Sequence, residues 1–116
     1  MSRVTTHVLD IASGRPAEGV PVALERADPN GAAWELVGRG VTGADGRLAD
    51  LAPNRRRLAA GRYRLTFDTG AYFTRTGRQA FFPEVAVVFA IGEGDDVHEH
   101  VPLLLSPYGY GTYRGS

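Results

Sequence analysis

The sequence predicts an all-β fold, a two-sheet β-sandwich of seven or eight short strands with one short helix. Its 116 residues are enough for one domain, residues 1–116, with a substantial core. Apolar residues make up 43% of the chain and alternate with polar ones in several segments, as in half-buried strands. The 15 glycines and 7 prolines provide the turns that a sandwich of short strands requires.

Three strands are predicted in the first half of the chain. Residues 4–11 form an apolar segment in which His7 shares a face with Thr5, and residues 20–24 alternate between apolar and polar side chains. Residues 35–42, next to Trp34, show a similar pattern. Residues 28–31 read Asp-Pro-Asn-Gly, and this turn composition predicts a hairpin between the second and third strands.

The second half begins with the clearest alternation. Residues 62–68 place Tyr63, Leu65 and Phe67 on one face, which predicts a strand between the core and water. Residues 71–77 then predict one or two helical turns, with Thr69 as the N-cap and Gly77 as the stop.

The remaining elements are strands. Residues 84–91 are nearly all apolar, which predicts a strand covered on both faces, with another subunit as a source of the cover. Residues 97–106 and 108–113 predict the last two strands, with a tight connection at Pro107.

Charge and composition narrow the classes of function. Thirteen basic residues balance thirteen acidic ones, so neither a nucleic acid nor an anionic membrane is an expected partner, and residues 55–57, three arginines, are interpreted as a solvated loop. The chain has no cysteine, which excludes disulfides and thiol nucleophiles. Because we find neither a signal-peptide core nor a membrane-length apolar run, we expect a soluble, cytoplasmic protein.

The three histidines are the candidate reactive groups. His98 and His100 lie two apart in a predicted strand, so their imidazoles leave the same face while Glu99 points away. A single histidine such as His7 is more often a packed or surface residue than a catalytic one. A metal site is the rival interpretation of the pair, because two imidazoles can share Zn²⁺ and His7 is a conceivable third ligand.

Other motifs are less specific. Asp45, Gly46 and Arg47 read as an ordinary Asp-Gly turn followed by an exposed arginine. The chain contains no nucleophile elbow, phosphate loop, dinucleotide fingerprint or His-Glu-x-x-His pair, so the common hydrolase, nucleotide and zinc-protease classes lack support.

The C-terminal segment carries a specific resemblance. Residues 113–116 read Tyr-Arg-Gly-Ser and look like the C-terminal signature of the 5-hydroxyisourate hydrolases, in the transthyretin-like family. Residues 98–106 resemble that family's His-x-His-Val-Pro-Leu-Leu-Leu-Ser block. Gly111 departs from the pattern, since many members have serine there. Further matches lie at residues 6–10, 14–17, 45–47, 63–64 and 81–84.

This resemblance implies a transthyretin-like sandwich that hydrolyses the cyclic amide of 5-hydroxyisourate without a cofactor. It implies that His7 and His100 are the active-site histidines and Arg47 the active-site arginine, and we hypothesise that the two histidines act as general base while Arg47 orients the substrate. Tyr113 and Ser116 are the other implied catalytic residues, and the implied substrate contacts are His7, Arg47, Tyr113 and His98.

The resemblance also implies a homotetramer, a dimer of dimers with active sites at both ends of a central channel. The apolar run at residues 102–105 and the C-terminus are then expected to line or pack against interfaces. Two alternatives remain: a transthyretin-like carrier of a small aromatic ligand, which would lack the histidine and arginine set, and an immunoglobulin-like interaction module.

Overall fold

The computed structural model describes residues 3–49, 51–52, 58–94 and 97–116. The arginine run at 55–57 therefore lies outside the described residues. Within those residues the chain forms nine strands and one helix: β1 Arg3–Asp10, β2 Arg15–Pro16, β3 Pro21–Ala27, β4 Trp34–Val41, β5 Arg47–Leu48, β6 Gly61–Phe67, α1 Thr69–Arg75, β7 Val85–Ile91, β8 His98–Ser106 and β9 Gly109–Thr112.

The strands form two sheets, as the sequence predicts. Sheet A has the order β2-β1-β8-β9, with β5 also paired to β1, and sheet B has the order β4-β3-β6-β7. The β1–β8 pair is parallel, and the other pairs are antiparallel. The two-residue strands β2 and β5 are not predicted, because two residues are too few to show a period.

The core lies between the sheets. Alternation along each strand buries Val4 and Val8 from sheet A against Leu24 and Leu65 from sheet B. Leu103 and Leu105 are also buried in this core within the single chain, so the expectation that the whole run at 102–105 packs against subunit interfaces is wrong for these two residues. Because side chains alternate between the two faces of a strand, Leu103 and Leu105 both face the core.

Helix α1 follows β6, and its cap differs from the prediction. The Asp68 carboxylate, not the Thr69 hydroxyl, caps the helix by accepting a hydrogen bond from the Ala71 backbone N–H at 3.0 Å. The Thr69 hydroxyl instead donates to the Phe82 carbonyl at 2.7 Å. Gly77, with a φ of +74°, follows the helix as predicted. No helix in the described ranges is long and apolar enough to cross a membrane.

Two further predictions concern sheet B. The β3–β4 hairpin forms as expected, and Gly31 donates to the Asp28 carbonyl at 2.7 Å with a φ of +72°. Strand β7 is an edge strand of sheet B. Its outward residues Ala86, Val88 and Ala90 are exposed, so the described part of the chain covers only one face of the strand and does not provide the predicted second cover.

Candidate active site

Three neighbouring strands of sheet A position the candidate residues. Strand β1 lies between β5 and β8, and its register places His7 opposite Arg47 and Thr5 opposite His100. Because neighbours in register project from the same face, these side chains leave the outer face of sheet A, away from the core. The sheet thus brings together residues separated by up to 95 positions in the chain.

A threonine hydroxyl lies between the two histidines of β8. The Thr5 Oγ1 atom is 2.8 Å from Nδ1 of His100 and 3.3 Å from Nε2 of His98. The predicted same-face arrangement of His98 and His100 is therefore confirmed.

The turn before β5 holds both Arg47 and His7. Gly46 has a φ of +77°, and a Cβ there would clash with the Val8 carbonyl oxygen, so only glycine fits. The Asp45 carboxylate accepts from the Arg47 backbone N–H at 2.9 Å, and the Asp45 carbonyl lies 2.8 Å from Nε2 of His7. Because a carbonyl can only accept, Nε2 carries the proton and Nδ1 of neutral His7 is left as an acceptor.

The C-terminal segment returns to β8 beside His100. The Gly115 backbone N–H donates to the His100 carbonyl at 2.8 Å. A Cβ on Gly115 would lie 2.5 Å from Cδ2 of His100, so the glycine permits direct contact with the imidazole ring. Arg114 points elsewhere and makes two 3.1 Å hydrogen bonds to the Glu99 carboxylate.

These residues surround a cavity of about 280 Å³. Arg47, His98, His100 and Ser116, four of the predicted site residues, are among its lining residues, together with Thr5. The structure therefore brings four of the six predicted site residues together in one cavity.

Two predicted site residues lie outside that wall. His7 adjoins it on β1, opposite Arg47. Tyr113 lines a different cavity of about 520 Å³ beside Val88, Phe89 and Glu99, and it is 57% exposed. Within one chain, Tyr113 is thus not brought to the histidines.

The electrostatics of the cavity favour a neutral His100. Burial lowers the pKa of its imidazole, and repulsion from the Arg47 charge and from the protonated forms of His7 and His98 lowers it further, while a hydrogen bond to the Thr5 backbone raises it. A neutral imidazole retains a lone pair on one ring nitrogen, so His100 can accept a proton near neutral pH.

The described residues offer no third ligand for the rival metal interpretation. Among the residues that the structure describes, no three histidine, cysteine, aspartate or glutamate side chains are grouped so that they could hold a metal ion. The imidazoles of His98 and His100 converge on the Thr5 hydroxyl, and the His7 Nε2 atom donates to a carbonyl.

Sequence reasoning missed two residues that shape the site. Thr5 lies two positions before His7, which predicts a shared face but not contact with β8, since strand pairing is not readable from one sequence. Gly115 belongs to the recognised signature, but its contact with His100 depends on the return of the chain to that strand.

Comparison with known proteins gives a consistent result. A family model described as the HIUase/Transthyretin family matches residues 4–115. The 5-hydroxyisourate hydrolase of Salmonella dublin is 47% identical over 97% of this chain and 80% of its own length.

Two solved structures share the fold. The structure of Klebsiella pneumoniae 5-hydroxyisourate hydrolase is similar with a TM-score of 0.85 at 46% identity, over 100% of both chains. Sea bream transthyretin in complex with thyroxine is similar with a TM-score of 0.88 at 34% identity, over 97% of this chain and 94% of that one. The sandwich, the matched residues 4–115 and these relatives show that the chain belongs to the HIUase/Transthyretin family.

Proposed function

We propose that this protein is a 5-hydroxyisourate hydrolase that opens the cyclic amide of its substrate to give 2-oxo-4-hydroxy-4-carboxy-5-ureidoimidazoline, a step of urate breakdown. The observation that carries the proposal is the single cavity shared by Arg47, His98, His100 and Ser116. Identity supports it as well, since the chain is 46% identical to the hydrolase of known structure and 34% identical to the transthyretin.

The histidines supply the base that amide hydrolysis needs. A water molecule must lose a proton as it attacks the amide carbonyl, and an imidazole suits this transfer near neutral pH. His7 presents its free Nδ1 atom, and the pKa of His100 is lowered by burial and by neighbouring positive charges. Both rings are therefore suited to accept a proton, and we assign the base to this pair.

Arg47 supplies charge and orientation. Its guanidinium carries several N–H donors in a fixed plane, which suits a flat heterocycle rich in carbonyl oxygens. The same positive charge stabilises the oxyanion that develops when water attacks. Asp45 holds the Arg47 backbone but leaves the side chain 58% exposed, with a loose 4.0 Å contact between their charged groups. Arg47 thus keeps donors for the substrate.

A tetramer accounts for the position of Tyr113. Strands β7 and β9 are edge strands of sheets B and A, and unpaired edges favour pairing with a second copy. The edge residues Val88, Tyr110 and Tyr113 are 49%, 44% and 57% exposed in the single chain. Pairing at these edges covers them, and stacking of two such dimers brings Tyr113 of one subunit toward the site of another. We propose this homotetramer in the cytoplasm.

A carrier is the second candidate, because the chain has a TM-score of 0.88 with a transthyretin that binds thyroxine. The polar wall of the cavity favours the hydrolase. A carrier of an aromatic ligand needs an apolar surface, whereas two histidines, two arginines and Ser116 line this cavity.

The test measures decay of the unstable substrate. Urate oxidase generates 5-hydroxyisourate from urate, and ultraviolet absorbance follows its decay with and without the purified protein. We expect faster decay with the protein and the spontaneous rate with His100→Ala, whose fold is checked by circular dichroism. A folded wild-type tetramer that leaves the spontaneous rate unchanged would instead support the carrier.

A further inference from the structure

The Thr5 hydroxyl has two imidazole neighbours and a single proton. It contacts Nδ1 of His100 at 2.8 Å and Nε2 of His98 at 3.3 Å. A hydroxyl donates one hydrogen bond and accepts others, so it can donate to only one of the two rings. When both rings are neutral, the other ring must donate to Thr5. The tautomers of His98 and His100 are therefore coupled through this atom.

The surroundings of His100 select one of the two arrangements. Gly115 covers the Cδ2 and Cγ side of the ring, and Thr5 occupies Nδ1. None of the described residues hydrogen-bonds to Nε2, which leaves that atom for water or substrate. Because Thr5 contacts the ring at Nδ1 and Nε2 has no partner among the described residues, the geometry favours a proton on Nδ1.

We propose that Thr5 is a positioning residue that accepts a hydrogen bond from Nδ1–H of His100 and donates its own proton to Nε2 of His98. This arrangement leaves the lone pair of His100 on Nε2, where it can accept a proton from water. The inference rests on the proposed hydrolase function for its kinetic consequence but not for the tautomer itself. In the opposite arrangement Nε2 would carry the proton, and neutral His100 could not act as a base there.

Burial makes this hydroxyl a strong constraint. Thr5 is 8% exposed, so water cannot readily replace it as the partner of Nδ1. The second hydrogen bond, to the exposed His98, fixes the direction of the hydroxyl proton. His98 thus has a role that needs no contact with substrate: its Nε2 atom accepts from Thr5.

The test compares Thr5→Val, which keeps the shape and removes the hydroxyl, with Thr5→Ser, which retains it. We expect kcat to fall about 10–100-fold in Thr5→Val, the range found for partners that orient ligand histidines, with a much smaller change in KM. Thr5→Ser should recover most of the lost kcat. Thr69→Val is the matched control, because it also removes the hydroxyl of a buried threonine. The Thr69 hydroxyl donates to the Phe82 carbonyl and lies outside the cavity.

Nitrogen-15 NMR of the imidazoles reads the tautomer directly. At a pH where His100 is neutral, the wild-type tetramer and Thr5→Ser should show Nδ1 protonated and Nε2 free, and Thr5→Val should show a mixture of the two tautomers. An unchanged tautomer in Thr5→Val, or a kcat within about twofold of Thr69→Val, would overturn the proposal. If the wild type lacks hydrolase activity, the proposed function fails while the NMR result still decides the role of Thr5.

Discussion

Strand β1 carries two polar clusters, one at each end, and they differ in how completely their hydrogen bonds are satisfied. At the end of the strand, the Asp10 side chain is fully buried and accepts hydrogen bonds from the Tyr72 hydroxyl at 2.7 Å and Arg78 Nη2 at 2.5 Å. Its other oxygen accepts from the backbones of Ala12 and Ser13. Near the start of the strand, Thr5 joins His98 and His100 beside an open cavity.

The pKa of Asp10 and the pKa of His100 are both lowered, but Asp10 becomes charged and His100 becomes neutral as a result. Burial opposes ionisation of Asp10, but the hydrogen bonds from Arg78, Tyr72 and Ser13 and the charge of Arg78 outweigh it, and the pKa is about 2. Asp10 is therefore charged and fully paired at neutral pH. In His100, burial and like charges favour the neutral form, which has a lone pair to offer. A satisfied cluster stabilises the fold, and an unsatisfied one can react.

The largest effect is expected from the loss of His7, the other proposed base, which lies beside the cluster of Thr5, His98 and His100. We expect His7→Ala to lower kcat/KM by roughly 10²–10⁴-fold, the range that a positioned acid or base contributes. Its melting temperature should stay close to that of the wild type, because His7 lies on the outer face of sheet A. The exposed Arg15→Ala on β2 provides the control. A kcat/KM for His7→Ala close to that of this control would remove His7 from the mechanism.

The opposite pattern is expected at Asp10. Asp10→Asn should lower the free energy of unfolding by about 3 kcal/mol, because it leaves Arg78 without its buried partner. Denaturant unfolding measures this loss, while kcat per folded protein should change little. A normal stability with a lost kcat would reverse the assignment of the two clusters.

The Asp10 stabilisation also has a defined pH window. The folded pKa of about 2 lies below the usual value near 3.9, so the contribution is complete above about pH 4 and is lost as pH falls through 2. The stability difference between the wild type and Asp10→Asn should therefore narrow over that window. A difference that stays constant down to pH 2 would contradict the lowered pKa.

A smaller effect is expected from Arg47→Lys, which keeps the charge and removes the planar pair of donors. We expect kcat/KM to fall about 10–100-fold, or roughly 1.4–2.7 kcal/mol of transition-state stabilisation. Arg47→Gln also removes the charge, so the pKa of His100 should rise toward its usual value and the acid limb of kcat/KM should move to higher pH. The acid limb of kcat/KM should stay at the same pH in Arg47→Lys, because lysine retains the positive charge. Near-normal turnover in Arg47→Lys would exclude a two-donor role.

The smallest effect concerns Gly115. A methyl group there must displace the His100 ring or Pro102, since its Cβ would lie 2.5 Å from Cδ2 of His100. We expect Gly115→Ala to lower kcat about tenfold, as for misplacement of a base by a fraction of an ångström. Gly111→Ala is the matched control, because a Cβ at that position meets no atom within 4 Å. Equal activities would show that the ring is not held by this contact.

The sequence predicts the long elements and the reactive groups better than their assembly. Alternation identifies strands such as β6, and the spacing of His98 and His100 predicts their shared face. The helix cap is shifted by one residue because Asp68 and Thr69 are both good caps, and geometry alone chooses between them. The role of Thr5 could not be predicted, because it depends on a parallel partner more than ninety residues away. Tyr113 lines a different cavity from the histidines within one chain, and the spacing of the sequence does not indicate this.

The parallel pairing of β1 with β8 also sets an order for folding. Sheet B uses strands between residues 21 and 91, whereas the centre of sheet A joins Arg3 to His98 and Asp10 to Leu105. Closing so long a loop costs conformational entropy before any contact compensates for it, and such contacts form slowly. During synthesis, β1 therefore cannot pair with β8 until nearly the whole chain has been made. We therefore expect sheet B to gain amide protection first during refolding, and the histidine cavity to form only when β8 pairs with β1.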